Sequence, residues 1–125
     1  MDESLSKPGR WRQLLPLGIL VVALSGAVAG LGHWRGAQAA ERLRAAHLQP
    51  ADLLMLSSAD CAVCLRARRW LDAERVPYSE CDIGKEPNCE ALFRRLQAVG
   101  TPTFVLRGQV LSGWDASRLA AMLDG

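Results

Sequence analysis

The chain has 125 residues, enough for one domain of ordinary size; half of them are hydrophobic and 22% are charged. That composition excludes a disordered chain, and nothing repeats at a solenoid or collagen period. A formal net charge of +2 is too small to point to nucleic acid. The charge is unevenly placed: residues 1–50 hold six of the 15 Lys/Arg and three of the 13 Asp/Glu, so they carry +3 and the remainder −1. The basic excess lies beside an apolar run, where membrane phosphates are the natural partner.

Residues 1–12 form a short basic tail. Residues 13–34 then give 22 positions without Lys, Arg, Asp or Glu. As a helix rising about 1.5 Å per residue they reach roughly 33 Å, the depth of a bilayer core. Trp11 and Trp34 stand near the two ends, where amphipathic rings prefer the interface. Pro16 is expected in the first turn, where a missing N–H costs little. The length favours an uncleaved single-pass anchor. A cleaved signal peptide is the alternative, with Lys7, Arg10 and Arg12 as its basic region and Ala37-Gln38-Ala39 as a small-x-small cleavage site. A buried soluble helix fits less well, because no polar face exists to meet water. Gly26 and Gly30 have the GxxxG spacing that lets two copies approach as a homodimer, although small residues are common in such segments.

Three basic residues precede the span and three follow it (Arg35, Arg42 and Arg44), so the count does not orient it. The N-terminal charges lie closer to the span. This favours a cytoplasmic (inner) membrane protein whose following domain is extracytoplasmic, with a cytosol-facing domain as the alternative. Residues 35–50 read as a helical connector that Pro50 ends.

Residues 51–125 alternate strand and helix. Leu53-Leu54-Met55-Leu56 is a continuous apolar run of the kind found in central buried strands. Residues 60–74 have helical spacing, with Cys64, Ala67, Trp70 and Leu71 on one face and Asp60 as the expected N-cap. Residues 78–83 read as a second strand and 88–98 as a helix with Ala91, Leu92 and Leu96 inward. Residues 103–106 and 109–111 form a hairpin across Arg107-Gly108. A last helix spans 115–123, capped by Asp115. The order is β-α-β-α-β-β-α, with the first two strands parallel.

The chemistry sits in Cys61-Ala62-Val63-Cys64. At a helix start the first sulfur meets free N–H groups and the positive end of the helix dipole, which stabilise a thiolate and lower its pKa below that of a free thiol. That thiolate attacks a disulfide, and the second thiol resolves the mixed disulfide. After a buried strand, in a βαβ unit, the motif says far more than a lone CxxC. Gly100-Thr101-Pro102-Thr103 stands before the third strand. A cis Thr101–Pro102 peptide there would present backbone groups to an extended partner beside the sulfurs.

Residues 53–123 resemble the thioredoxin superfamily, in particular its short glutaredoxin-like branch. The resemblance rests on Cys61-x-x-Cys64 with Ala67 and Leu71 behind it, on Thr101-Pro102-Thr103-Phe104, and on Ser112-Gly113-Trp114-Asp115. It implies an α/β thioredoxin-like fold with a four-stranded mixed sheet and thiol–disulfide oxidoreductase activity. By position, Cys61 matches the family's nucleophile, Cys64 its resolving cysteine and Pro102 its cis proline. Thr101, Pro102, Gly113, Trp114 and Asp115 would line the substrate site.

Three departures weaken glutathione docking. Ala62-Val63 replaces the Pro-Tyr of typical glutaredoxins. Ser58 stands where a cation would grip a glutathione carboxylate. The glycine pair before paired aspartates is reduced to Gly113-Trp114-Asp115. No cofactor is expected, and glutathione is kept only as a candidate reductant. Ser112-Gly113-Trp114 is closer to redoxins that resemble thioredoxin in partner choice.

Cys81 and Cys89 leave more than one reading open. They can form a second disulfide across the loop between strand and helix, or stay as free thiols. A zinc site from all four cysteines is disfavoured, because the second pair has x7 where a ribbon needs x2. No metal is expected. Two function classes remain: a membrane-tethered oxidoreductase acting on protein or small-thiol disulfides, or a non-catalytic thioredoxin-fold module holding a soft metal ion or acting as an assembly factor through the same cysteines.

Overall fold

The computed structural model describes residues 9–125, which divide into two compact units meeting between Arg35 and Gly36. Most of the first is one part of a 37-residue helix, α1 (Gly9–Ala45). An 18-residue window of α1 has a mean hydropathy of 2.3 and none of it is buried, so the helix is long and apolar enough to cross a membrane. Pro16 lies inside α1, with seven helical residues before it, and not in the first turn. Its ring removes the hydrogen bond to the carbonyl four residues back.

The second unit, residues 36–125, is built on a four-stranded sheet of order β2-β1-β3-β4. Its elements are β1 (Leu53–Ser57), α2 (Ala62–Ala73), β2 (Ser79–Asp82), α3 (Pro87–Arg95), β3 (Thr103–Leu106), β4 (Gln109–Ser112) and α4 (Ala116–Ala121), closed by a 3₁₀ turn at Met122–Asp124. β1 pairs in parallel with β2 and antiparallel with β3; β3 and β4 are an antiparallel hairpin. The hairpin turns on Arg107 (φ 50°) and Gly108 (φ 82°), the two left-handed positions that a tight two-residue loop requires.

Side chains alternate across the sheet. Leu53 and Met55 of β1, with Phe104 and Leu106 of β3, enter one cluster with Ala67 and Leu71 of α2 and Leu119 of α4. Leu56 points to the opposite face, as does its register partner Cys81, and there Cys81 is bonded to Cys89 of α3. The two faces are unequally covered. α3 contributes nothing to the main cluster; Cys89 is its one buried residue, Leu92 and Leu96 are only half-buried, and Ala91, expected inward, is exposed.

The domain does not begin at residue 51 as the sequence pattern suggested. Ala39, Leu43 and Leu48 belong to the main cluster, and Leu43 is fully buried. Ala39 and Leu43 are four apart and share one helix face. That face supplies apolar cover which the short helices beyond residue 51 do not. Nor does Pro50 end the connector helix. α1 stops at Ala45, and His47 follows in the left-handed region at φ 49°.

Candidate functional site

β1 delivers the chain to the site and α2 carries it away. Cys61, not Asp60, is the N-cap of α2: its backbone is extended, and its sulfur accepts the Cys64 N–H at 3.0 Å. A side-chain acceptor placed there occupies the position of a capping hydroxyl and satisfies one of the helix's unpaired donors. The following turn carries Cys64 onto the apolar face, where it is fully buried, while Cys61 is half-buried. The two sulfurs are joined in a disulfide, with the Cα atoms 5.2 Å apart.

The loop before β3 closes over this pair. The Cys61 sulfur lies 3.4 Å from the Thr101 carbonyl oxygen. The Thr101–Pro102 peptide is cis, and Pro102 is buried. The Ser58 and Thr101 hydroxyls are hydrogen-bonded at 2.7 Å, tying the β1–α2 loop to the loop before β3. Thr103 Oγ1 donates to the Gly100 carbonyl at 2.7 Å, and the Gly113 N–H donates to the Pro102 carbonyl at 2.9 Å. Gly113 adopts φ 84°, which suits a residue without Cβ. Thus Cys61, Cys64, Thr101, Pro102 and Gly113 are brought together from three separate stretches of chain.

Trp114 and Asp115 are committed elsewhere. Trp114 is half-buried, its ring 5.3 Å from that of Trp70 and 5.6 Å from that of Phe104. Tilted pairs of this kind add packing energy beyond burial alone. The Asp115 carboxylate caps α4 by accepting the Arg118 N–H at 2.9 Å. Ala62, Leu65 (41% exposed) and Val99 (90% exposed) leave apolar surface on α2 and on the segment leading to Thr101.

Beneath the site, the buried Ser57 hydroxyl donates to Glu80 at 2.8 Å, and Arg68 of α2 donates to both Glu80 oxygens. This guanidinium holds the Glu80 carboxyl below the usual carboxylate range, aided by the Ser57 hydroxyl and opposed by burial. Arg68 therefore joins α2 to β2.

Cys81 and Cys89 form the second disulfide, with Cα atoms 5.6 Å apart. The sulfurs and a carboxylate oxygen of Glu86 lie within 4.8 Å of one another. Cysteine binds a metal ion through its thiolate. With both sulfurs bonded to each other, the cluster offers a soft ion no thiolate.

No protein-family model and no curated protein matches the sequence. Solved structures do match. A point mutant of the thioredoxin-like protein BC3987 is 26% identical, covers 57% of this chain and 97% of its own, and has a TM-score of 0.52. The unmutated protein is 25% identical over 56% of this chain and 97% of its own, with a TM-score of 0.51. The fold is thioredoxin-like. The glutaredoxin grx-1 from Archaeoglobus fulgidus is 20% identical, covering 59% of this chain and 87% of its own at a TM-score of 0.48. A thioredoxin-like fold carrying a bonded Cys61–Cys64 pair supports a thiol-based redox function. Sequence reading passed over the Ser58–Thr101 bond and the Ser57–Glu80–Arg68 set. Each joins residues far apart in the chain, and no local spacing marks it.

Proposed function

We propose that the protein is a membrane-tethered thiol–disulfide oxidoreductase in which Cys61 is the nucleophile and Cys64 the resolving cysteine. The observation that carries this reading is the N–H of Cys64 aimed at the Cys61 sulfur at 3.0 Å, at the start of α2. In the reduced protein the same donor and the helix dipole favour negative charge on that sulfur.

The cycle balances as two exchanges. The Cys61 thiolate attacks a substrate disulfide; a Cys61–substrate bond forms and one substrate thiolate leaves, taking a proton from solvent. The Cys64 thiol loses its proton to solvent, and its sulfur then attacks the Cys61 sulfur. The substrate departs as a dithiol and the protein is left with the Cys61–Cys64 disulfide. Run in reverse, the bonded form oxidises a dithiol. A dithiol or monothiol reductant resets the reducing cycle.

Partner choice follows from the rim. Ser58 gives a carboxylate no cation, and its hydroxyl is engaged with Thr101. Ala62, Leu65 and Val99 offer apolar contacts instead. These favour a protein segment with apolar residues beside its cysteine over glutathione. α1 supplies the tether. Two disulfide pairs suit an oxidising compartment, which supports a domain on the extracytoplasmic side.

Insulin reduction by the full chain in detergent, with dithiothreitol as reductant, tests the activity. Catalytic turnover is expected and is lost in Cys61→Ser. Stoichiometric binding of copper or zinc without turnover would favour the metal-holding reading instead. Trapping cellular thiols by alkylation reports the resting state of Cys61 and Cys64, and with it compartment and direction.

A further inference from the structure

We propose that the Cys81–Cys89 disulfide is a positioning element for the exchange site, because it holds α3 on the sheet and, through α3, the rim segment that leads into Thr101. The proposal rests on the oxidoreductase reading above.

The anchoring of α3 is thin. It has nine residues, fewer than the roughly 12–15 an isolated helix needs to be even marginally stable in water. Its N-cap, Glu86, makes no side-chain capping bond. Cys89 is its single buried residue, and Leu92 and Phe93 are half-buried. The other helices of the domain are fastened through the main apolar cluster, to which α3 contributes no residue. A covalent bond from Cys89 to Cys81 on β2 is therefore its principal fixture.

The loop beyond α3 has two arms that are fastened differently. The downstream arm is tied to the rest of the site by Ser58–Thr101, Thr103–Gly100 and Gly113–Pro102. Among the described residues, the hydrogen bonds of the upstream arm run to α3: the Gln97 N–H donates to the Arg94 carbonyl at 3.0 Å and the Ala98 N–H to the Phe93 carbonyl at 3.1 Å. Val99, 90% exposed, stands between the two arms. Where α3 goes, Ala98 and Val99 follow, while Cys61, Thr101 and the Cys64 donor stay in place.

The closed bond thus fixes Val99, the part of the apolar rim beside Thr101, and leaves Ala62 and Leu65 on α2 and the reacting sulfurs independent of it. Opening it takes two electrons and two protons, supplied by a dithiol that is itself oxidised to a disulfide. An opened bond leaves the rim only fractionally in its receiving position, and apparent affinity falls by that fraction.

The test uses the full chain in detergent micelles, fully oxidised, in single-turnover oxidation of a fluorescent dithiol peptide with apolar residues beside its cysteines. In Cys81→Ala/Cys89→Ala the half-saturating peptide concentration is expected to rise roughly five- to tenfold, with the limiting rate unchanged. Amide hydrogen exchange is expected to quicken over residues 92–100 and to stay slow in β1. Unchanged half-saturation, or a limiting rate that falls in step with it, would overturn the proposal. If the double variant does not fold, the Cys61→Ser/Cys64→Ser chain retains only this pair. Reduction with a trialkylphosphine should then speed exchange over 92–100 and reoxidation should slow it; no difference overturns the proposal. A native chain that fails to oxidise the peptide defeats the oxidoreductase reading, and the exchange comparison still decides the positioning role.

Discussion

The Cys64 backbone N–H and the Cys61 sulfur meet at 3.0 Å, so one residue of the CxxC motif serves as the helix cap of the other. The same turn separates their surroundings: Cys61 is half-buried at the helix start, and Cys64 is fully buried on the apolar face. Their roles in exchange are expected to differ accordingly. Cys61→Ser removes the attacking sulfur and abolishes turnover. Cys64→Ser leaves attack intact and accumulates mixed disulfides with partners, visible on non-reducing gels. In the reduced chain, Cys61 should react with iodoacetamide before Cys64. Faster alkylation of Cys64, or full turnover in both single variants, would move the chemistry to other cysteines.

Glu80 joins three elements, accepting from Ser57 on β1 and from Arg68 on α2. The two acceptor roles separate by substitution. Glu80→Gln keeps an oxygen for the Ser57 hydroxyl but loses the ion pair. Arg68 is 36% exposed, so solvent screening limits that loss to about 1 kcal/mol. Glu80→Ala also strands the buried Ser57 hydroxyl and should cost about 2 kcal/mol. The carboxyl is held low in the folded state, chiefly by Arg68. Its contribution is therefore complete above the unfolded value of about 4.3 and is lost as pH falls through the folded one. Denaturant titrations at pH 7 and at pH 3 check the sign: the native chain should lose more stability between them than Glu80→Gln does. Equal losses would remove Glu80 from the account.

Much of this fold is legible in the sequence because its signals are local. The apolar run of β1, the helical spacing of Cys64, Ala67 and Leu71, and the Arg107-Gly108 turn each mark an element within a few residues. What escapes is long-range. Leu43 lies near the end of the same helix that carries the membrane-length apolar stretch, and nothing nearby shows that its own turn is buried in the main cluster. Ala91 has the spacing of an inward residue, but α3 meets its face of the sheet mainly through Cys89 and leaves Ala91 in solvent. In the site, Cys61 and Cys64 announce themselves by spacing. Ser58 and Thr101 are polar residues 43 positions apart, and only the folded chain makes them neighbours.

Tyr78 offers a clean spectroscopic reading, because it is the chain's only tyrosine. Burial first, and then the hydrogen bond its hydroxyl donates to Asp72 at 3.1 Å, together raise its pKa from 10.0 to about 12. Absorbance at the phenolate band should titrate well above 10.0 in the folded chain. The folded value lies above the unfolded one, so the native state holds the proton more tightly. This stability is complete below pH 10 and is lost as pH rises toward 12. Asp72→Asn should bring the midpoint down while leaving the burial effect. A midpoint near that of free tyrosine would place the ring in water.

Deletion from the N-terminus tests where the domain begins. Leu43 and Ala39 from α1, and Leu48 after it, complete a cluster that includes Leu53, Leu71 and Phe104. Removing residues 1–35 takes away only what lies outside the second compact unit, and the remaining chain is expected to fold. Removing residues 1–50 takes three core side chains and uncovers the apolar residues beneath them. Leu43→Ala alone, at a fully buried position, should cost about 2–5 kcal/mol, and the larger deletion removes more than one such side chain. A domain of this size has only about 5–15 kcal/mol in hand. The shorter fragment should therefore lose its cooperative thermal transition, while residues 36–125 retain theirs by circular dichroism and tryptophan fluorescence. A stable, cooperatively unfolding fragment beginning at residue 51 would show that α1 is dispensable to the core, and the burial of Leu43 would then need another explanation.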